Sequence, residues 1–233
     1  EFIPLAEYLG LINPIGSFIL REACMRCKYW NDMGHPEYKV NVNLSDNGGK
    51  VIRSIKHHET GSDRIAEAVA GIDCDIVINI QGDEPFVTRE PLEKLITVFN
   101  GPDADRIDLA SMVQEIKNPA FIDDPNYVKV VMDKDNFALY FSRSPIPYNR
   151  AGSADVKYYE HVGVYAFRKQ SLLDFAQESA RQNELAEKIE CIRYLEYGKR
   201  IKMVESPFVS LEVDTPEDLV NARAYFAQLH PGK

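Results

Sequence analysis

The sequence has little cysteine and almost no tryptophan: four cysteines and one tryptophan in 233 residues. So few thiols exclude a disulfide scaffold, and a chain of this length buries a sizeable core without such staples. Glycine and proline, thirteen each, are too sparse for collagen-like or low-complexity structure. No apolar run approaches the ~20 residues that a membrane-crossing helix needs, so no membrane partner is expected. Glu1-Phe2-Ile3-Pro4 lacks the basic start and apolar stretch of a secretory signal, and the expected compartment is the cytoplasm. Positive charge is in deficit: 27 lysines and arginines against 36 aspartates and glutamates, a net charge of −9. That balance disfavours a general nucleic-acid binder, although a local basic cleft can still hold a phosphate. Three motifs are also missing: G-x-G-x-x-G, the G-x-x-x-x-G-K-[ST] phosphate loop and the G-x-S-x-G elbow.

Cys24 and Cys27 form a C-x-x-C inside a helical pattern, with no second such pair to complete a zinc site. They read as two small apolar residues on one buried helix face.

What is present is an alternation of strand and helix patterns. Asp75-Ile76-Val77-Ile78-Asn79-Ile80 is a β-branched run of the kind buried on both faces of a parallel sheet. Before it, Ile65, Ala68 and Val69 mark one helix face over 63–70, ended by Gly71; after it, Thr88 is placed to cap a helix carrying Leu92, Leu95, Ile96 and Phe99. Residues 109–113 and 162–167 read as strands. Residues 128–132 and 137–141 flank the turn chemistry of Asp133-Lys134-Asp135-Asn136 and predict a β-hairpin. The spacing of Leu185, Ile189, Ile192 and Leu195 predicts one helix from Glu184 to Tyr197, closed by Gly198. Thr215 as cap with Pro216 at the first helical position marks a last helix. The prediction is one domain over 1–233 of α/β class: a mostly parallel central sheet with helices on both faces, and a smaller β-rich portion at about 120–170.

In such sheets the ligand crevice lies at the carboxyl ends of strands, which is where Asp83 in Gln81-Gly82-Asp83-Glu84-Pro85 falls. Asp214, in Val213-Asp214-Thr215-Pro216, is a second carboxylate that either caps the last helix or joins Asp83 on a magnesium ion; both readings stay open on spacing alone. His57-His58-Glu59-Thr60-Gly61-Ser62-Asp63-Arg64 is a polar loop entering a helix, whose free amides and Arg64 suit an anion. The histidine pair reads as solvated loop rather than metal site.

Five segments, taken together and in order, carry a resemblance: Gln81 to Pro85, Tyr140 to Pro147, His161 to Tyr165, Glu184 to Glu187, and Val213 to Leu219. The chain resembles the 3-deoxy-manno-octulosonate cytidylyltransferases, the CMP-Kdo synthetases of lipopolysaccharide biosynthesis, from about Gly48 to about Phe226. The resemblance implies a nucleotidyltransferase of Rossmann-like fold that joins CTP to the sugar acid Kdo, releasing pyrophosphate. It implies Asp83 and Asp214 as the magnesium-binding catalytic carboxylates, and Thr60, Gly61, Ser62 and Arg64 as nucleotide contacts. Gln81, Arg143, His161, Tyr165, Glu184 and Glu187 are implied around the sugar acid. A cationic Arg143 would answer the Kdo carboxylate while the others bond hydroxyls. The β-rich portion is implied to bind sugar and to form a homodimer.

The family's opening loop, Ala-Arg-x-x-Ser-x-Arg-x-Pro-Gly-Lys, which cradles the triphosphate, has no counterpart here; Arg21, Arg26 and Lys28 are basic but lie in a helix pattern. Without that loop's cations triphosphate affinity is expected to fall. Two alternatives stand beside Kdo activation: transfer to another sugar acid, such as 8-amino-Kdo or a sialic acid, and a non-catalytic homologue that binds a sugar acid.

Overall fold

The computed structural model describes residues 52, 54, 58–80, 87–153, 155–205 and 216–229. Cys24, Cys27, Arg21, Arg26, Lys28, His57, Gln81, Asp83, Asp214 and Thr215 lie outside the described residues. The chain divides into two units, Glu1–Ile55 and Lys56–Lys233, and the elements described below belong to the second.

Helix α1 (Gly61–Val69) leads to strand β1 (Ile76–Asn79) and helix α2 (Arg89–Thr97), which runs on as a 3₁₀ turn at Val98–Asn100. Strand β2 (Leu109–Glu115) follows, then β3 (Lys129–Met132) and β4 (Ala138–Ser142), joined through the predicted turn. Strand β5 (Tyr159–Arg168) runs directly into helix α3 (Lys169–Phe175). Two short helices, α4 (Gln182–Glu187) and α5 (Ile192–Glu196), precede β6 (Ile201–Glu205), and α6 (Pro216–Leu229) closes the described chain.

The six strands form one sheet in the order β4-β3-β5-β2-β6, with β1 also paired to β5. The α/β class holds. Neighbouring strands differ from the expectation of a mostly parallel sheet: among the described residues only β2 and β6 pair parallel, while β5 runs against β1, β2 and β3. The ladders nevertheless leave β1, β2, β3 and β6 pointing one way, because β5 is threaded between them. A β-branched run signals burial on both faces and carries no information about which neighbour stands alongside. The strands of residues 120–170 belong to this same sheet.

Side-chain alternation along β5 separates two cores. Val162, Val164 and Ala166 pack with Leu95 and Phe99 under α2. Tyr165 and Phe167 face the other way, onto Ala66 of α1, Leu172 and Phe175 of α3, and Ile192 and Tyr194 of α5. Helices therefore cover both sheet faces. Within α2, Leu95 and Phe99 are buried as their spacing predicts, but Ile96 is exposed and Thr88 makes no side-chain cap.

The predicted helix from Glu184 to Tyr197 is broken. Lys188 takes a left-handed conformation (φ 55°) and ends α4, and the chain restarts as α5 at Ile192. The apolar spacing survives in part, with Ile189 and Ile192 buried and Leu185 exposed. The break has a visible cause: the Arg143 guanidinium donates to the carbonyls of Glu187 (2.7 Å) and Lys188 (3.3 Å), supplying at the helix end the cation that its dipole favours. Gly198 does close the segment as expected, at φ 74°, donating to Leu195.

The hairpin tip is fastened by charge. Asp133 accepts from the amides of Asp135 (2.9 Å) and Phe137 (2.8 Å), and the bond from Phe137 is the main reason its carboxyl lies below the usual range. The buried Phe137 ring has Arg106, Arg200 and Lys202 over it at 4.6, 4.1 and 4.8 Å. Met203 of β6 donates to Asn136 (2.8 Å), so the tip is docked against the far strand of the sheet.

Candidate active site

β1, β2 and β6 all run their carboxyl ends toward the amino end of β5. β1 ends with Asn79 opposite Tyr165, and the chain then leads to Gln81 and Asp83. β6 ends with Glu205 opposite Val113, itself opposite His161, and the chain leads on to Asp214. β1 and β6 therefore end on the same side of the sheet, where strand topology puts ligand crevices.

Among the described residues the pairing of β5 has a gap at this end. Along the edge shared by β1 and β3, Asn79 pairs with Tyr165, and the next contact is the His161 amide donating to Val128 (2.8 Å). No described strand residue pairs with 162–164 along that edge. On the other edge the ladder with β2 slips between Ser111 and Met112, whose partners are Tyr165 and Val162. Such a bulge re-aims side chains, and here four polar residues stand on one sheet face: Asn79, Ser111, His161 and Tyr165, all buried.

Ser111 stitches the bulge. Its Oγ lies 3.2 and 2.9 Å from the carbonyls of Val162 and Val164, and 2.9 Å from His161 Nε2. One hydroxyl proton cannot serve three acceptors. Ser111 therefore donates to a carbonyl and accepts from Nε2–H, which leaves His161 Nδ1 as an acceptor. Burial brings the imidazole down to about 4, so His161 is neutral at pH 7. A neutral ring with an acceptor nitrogen suits a hydroxyl group, not an anion. The ring packs between Phe141 (5.0 Å) and Tyr165 (5.4 Å), and Tyr165 continues to Phe167 (5.7 Å).

The predicted pair on α4 faces inward, not to solvent. Glu184 forms a forked ion pair with Arg193, 2.7 Å from Nε and 2.6 Å from one terminal nitrogen. Glu187 accepts from the Ser142 hydroxyl (2.6 Å) and the Arg143 amide (2.9 Å), tying α4 to the exit from β4. Arg143 in turn gives three of its five donors to the carbonyls of Pro125, Glu187 and Lys188. No carboxylate among the described residues lies within ion-pair distance of its guanidinium. The cation is thus rigidly held while its charge is not directly paired.

Thr60 to Arg64 forms the amino end of α1. Thr60 and Asp63 make a reciprocal capping box: Asp63 N donates to Thr60 Oγ1 (3.2 Å), and Thr60 N and Oγ1 donate to Asp63 Oδ2 (3.1 and 2.8 Å). The Ser62 amide donates to Glu190 Oε1 (2.9 Å) and the Arg64 amide to the Thr60 carbonyl (3.4 Å). The helix end that looked ready for an anion therefore already has the amides of Ser62, Asp63 and Arg64 engaged, one of them by a carboxylate from across the fold. Among the described residues a Cβ built on Gly61 would meet nothing within 4 Å. Replacing Thr60 with alanine is expected to cost the fold about 1 kcal/mol, read as a lower urea midpoint, while Thr60→Ser, which keeps the hydroxyl, should stay near the parent.

Beside this turn a cleft of about 480 Å³ is lined by His58, Asp63, Glu178 and Arg193 among others. Glu178 Oε2 is the one buried side-chain oxygen without a hydrogen-bond partner among the described residues. Glu190, Arg193 and Ser111 were not singled out from sequence. Their roles come from contacts across 128, 9 and 50 residues respectively, for which no local pattern exists. Among the described residues no group of three or more His, Cys, Asp or Glu side chains could hold a metal ion.

A family model described as cytidylyltransferase matches residues 37–201. The chain is 58% identical to the 3-deoxy-manno-octulosonate cytidylyltransferase of Flavobacterium johnsoniae, over 78% of this chain and 74% of that one. It is 57% identical to the protein of the same name from Christiangramia forsetii, over 79% and 75%. An 8-amino-3,8-dideoxy-manno-octulosonate cytidylyltransferase of Shewanella baltica is 42% identical over 74% and 71%. Among solved structures, the CMP:2-keto-3-deoxy-manno-octonic acid synthetase complexed with CTP superposes with a TM-score of 0.72 at 37% identity, covering 78% of this chain and 74% of that one.

Proposed function

Because this chain belongs to the 3-deoxy-manno-octulosonate cytidylyltransferase family, we propose that it transfers the cytidylyl group of CTP to Kdo, giving CMP-Kdo and pyrophosphate for lipopolysaccharide biosynthesis. The observation that supports the reading is the buried polar face of Asn79, Ser111, His161 and Tyr165 at the end of the sheet where β1 and β6 terminate, the strands that precede Asp83 and Asp214 in the sequence.

The anomeric hydroxyl of the sugar acid attacks the α-phosphorus in line and pyrophosphate leaves, chemistry that depends on positioning and charge neutralisation more than on covalent help. The neutral His161 and Tyr165 suit the hydroxyls of a polyol. Arg143, locked in place by three carbonyls, suits the sugar's carboxylate with its remaining donors. Thr60, Gly61, Ser62 and Arg64 present the edge of α1 to the nucleotide. Glu184 and Glu187 act on the sugar from one step behind, by fixing Arg193, Ser142 and the Arg143 amide. Gln81 is assigned to the sugar by the family resemblance. Magnesium, assigned to Asp83 and Asp214, would neutralise phosphate charge when bound. The proposed setting is cytoplasmic and the proposed assembly a homodimer through the β3–β4 region, where the edge strand β4 leaves Leu139 60% exposed. Two Kdo relatives, at 58% and 57% identity, stand above the 8-amino relative at 42%, which favours Kdo among sugar acids, while other Kdo relatives at 39–42% do not separate the two.

The test is pyrophosphate release with CTP, Kdo and magnesium, each omitted in turn, with 8-amino-Kdo and a sialic acid as rival acceptors. Release that needs all three components and collapses in Asp83→Asn is the expected result. Calorimetric binding of Kdo without any turnover would instead favour a non-catalytic homologue.

A further inference from the structure

Arg193 belongs to none of the motifs that carry the resemblance, yet it is only 2% exposed and contacts residues of α1, α3 and α4. Nε and one terminal nitrogen fork onto Glu184 of α4. The other terminal nitrogen donates to the carbonyls of Glu178 (3.1 Å) and Phe175 (3.4 Å) and lies 3.6 Å from Asp63 Oδ1. The guanidinium plane covers the Phe175 ring at 4.0 Å. Asp63 uses its second oxygen to hold Thr60, and Glu190, between α4 and α5, takes the Ser62 amide. Two struts thus join the Thr60–Arg64 turn to the α4–α5 segment: Arg193 to Asp63, and Glu190 to Ser62.

We propose that Arg193 is a positioning residue that holds the Thr60–Arg64 turn and helix α4 at one fixed separation, so that nucleotide and sugar acid meet in line. The inference rests on the reading that these two segments serve the two substrates. A planar fork matters here: it satisfies Glu184 with two parallel bonds while its third nitrogen still reaches Asp63. A lysine ammonium in the same place supplies the charge but not the geometry.

Arg193→Lys is therefore expected to lower kcat by about 10- to 100-fold, because a small misplacement of reacting groups costs that much. The dissociation constants for CTP with magnesium and for Kdo, measured separately by calorimetry, should each stay within about threefold, since each segment keeps its own contacts. Amide exchange at Ser62 and Asp63, followed by mass spectrometry, should speed about tenfold or more as local opening becomes easier. A merely structural role would reduce binding sites and rate together, and kcat per binding site would return to the parent value. If Arg193→Lys does not fold, Asp63→Asn tests the strut from its other end and is expected to move kcat and exchange in the same direction. Unchanged kcat per site, unchanged exchange, or a loss confined to substrate affinity overturns the inference. A parent protein that releases no pyrophosphate overturns the functional reading instead, and the exchange result then still decides whether Arg193 locks the turn.

Discussion

Glu184→Leu is expected to destabilise the fold by about 3–5 kcal/mol, because it removes both carboxylate hydrogen bonds of the buried Arg193 cation and leaves only Asp63, 3.6 Å away, to face it. Both partners are enclosed, with side chains 2% and 7% exposed for Arg193 and Glu184, so water cannot take over the lost bonds. The desolvation of a guanidinium is endured in the parent only because Glu184 meets it with two bonds and Phe175 covers its face. The double variant Glu184→Leu/Arg193→Met removes both charges and fills similar volume with apolar atoms. It should recover most of the loss, since exchanging a whole buried pair for apolar side chains is often neutral. Urea unfolding of the parent, both single variants and the double variant decides the matter. A single variant within about 1 kcal/mol of the parent would mean that the pair does not hold α4 in place.

His161 is expected to make the protein acid-sensitive through a defined window. Its pKa falls from 6.5 to about 4 on folding because burial penalises the imidazolium. Above pH 6.5 the ring is neutral in both states and adds no slope. As pH falls from about 6.5 toward about 4, the unfolded chain gains a proton that the folded chain refuses, so stability declines; below about 4 both states are protonated and the loss levels off near 3 kcal/mol. Between pH 7.5 and pH 5 the parent should therefore lose about 2 kcal/mol more than His161→Gln, whose amide carries no such proton. Comparing the two proteins cancels the carboxylates that both share. Parallel pH dependences would show that the imidazole protonates in place, and with it the case for a neutral hydroxyl-binding ring would fall. Catalysis under the proposed reaction should not respond to His161 across this window while the protein stays folded, because the folded ring remains neutral down to about 4.

Much of the fold was legible because its elements are written in local patterns. The strand at 76–79, the hairpin around Asp133 to Asn136, the strand at 109–115, the last helix from Pro216 and the stop at Gly198 all follow from apolar period, turn chemistry and fixed backbone angles. The break at Lys188 was not legible, since it depends on an arginine from another segment arriving at the helix end. The same distinction runs through the site. A strand-end position pointed to Asp83, whereas His161 and Tyr165 came from the resemblance, and the sequence spacing of Glu184 and Glu187 is equally that of a solvated helix face.

By itself, then, the sequence determined the α/β class, the family through five ordered segments, and the places where polar residues interrupt apolar ones. Tertiary structure alone decided which strands are neighbours, with β5 inserted between β1 and β2. It decided that Ser111 sets the tautomer of His161, that three amides of α1 are already engaged, and that Glu184 answers Arg193. The physical reason is range. Helix and strand preferences are settled among residues within a turn or two of one another, whereas the desolvation of a charge and the choice of its partner depend on everything the folded chain packs around it.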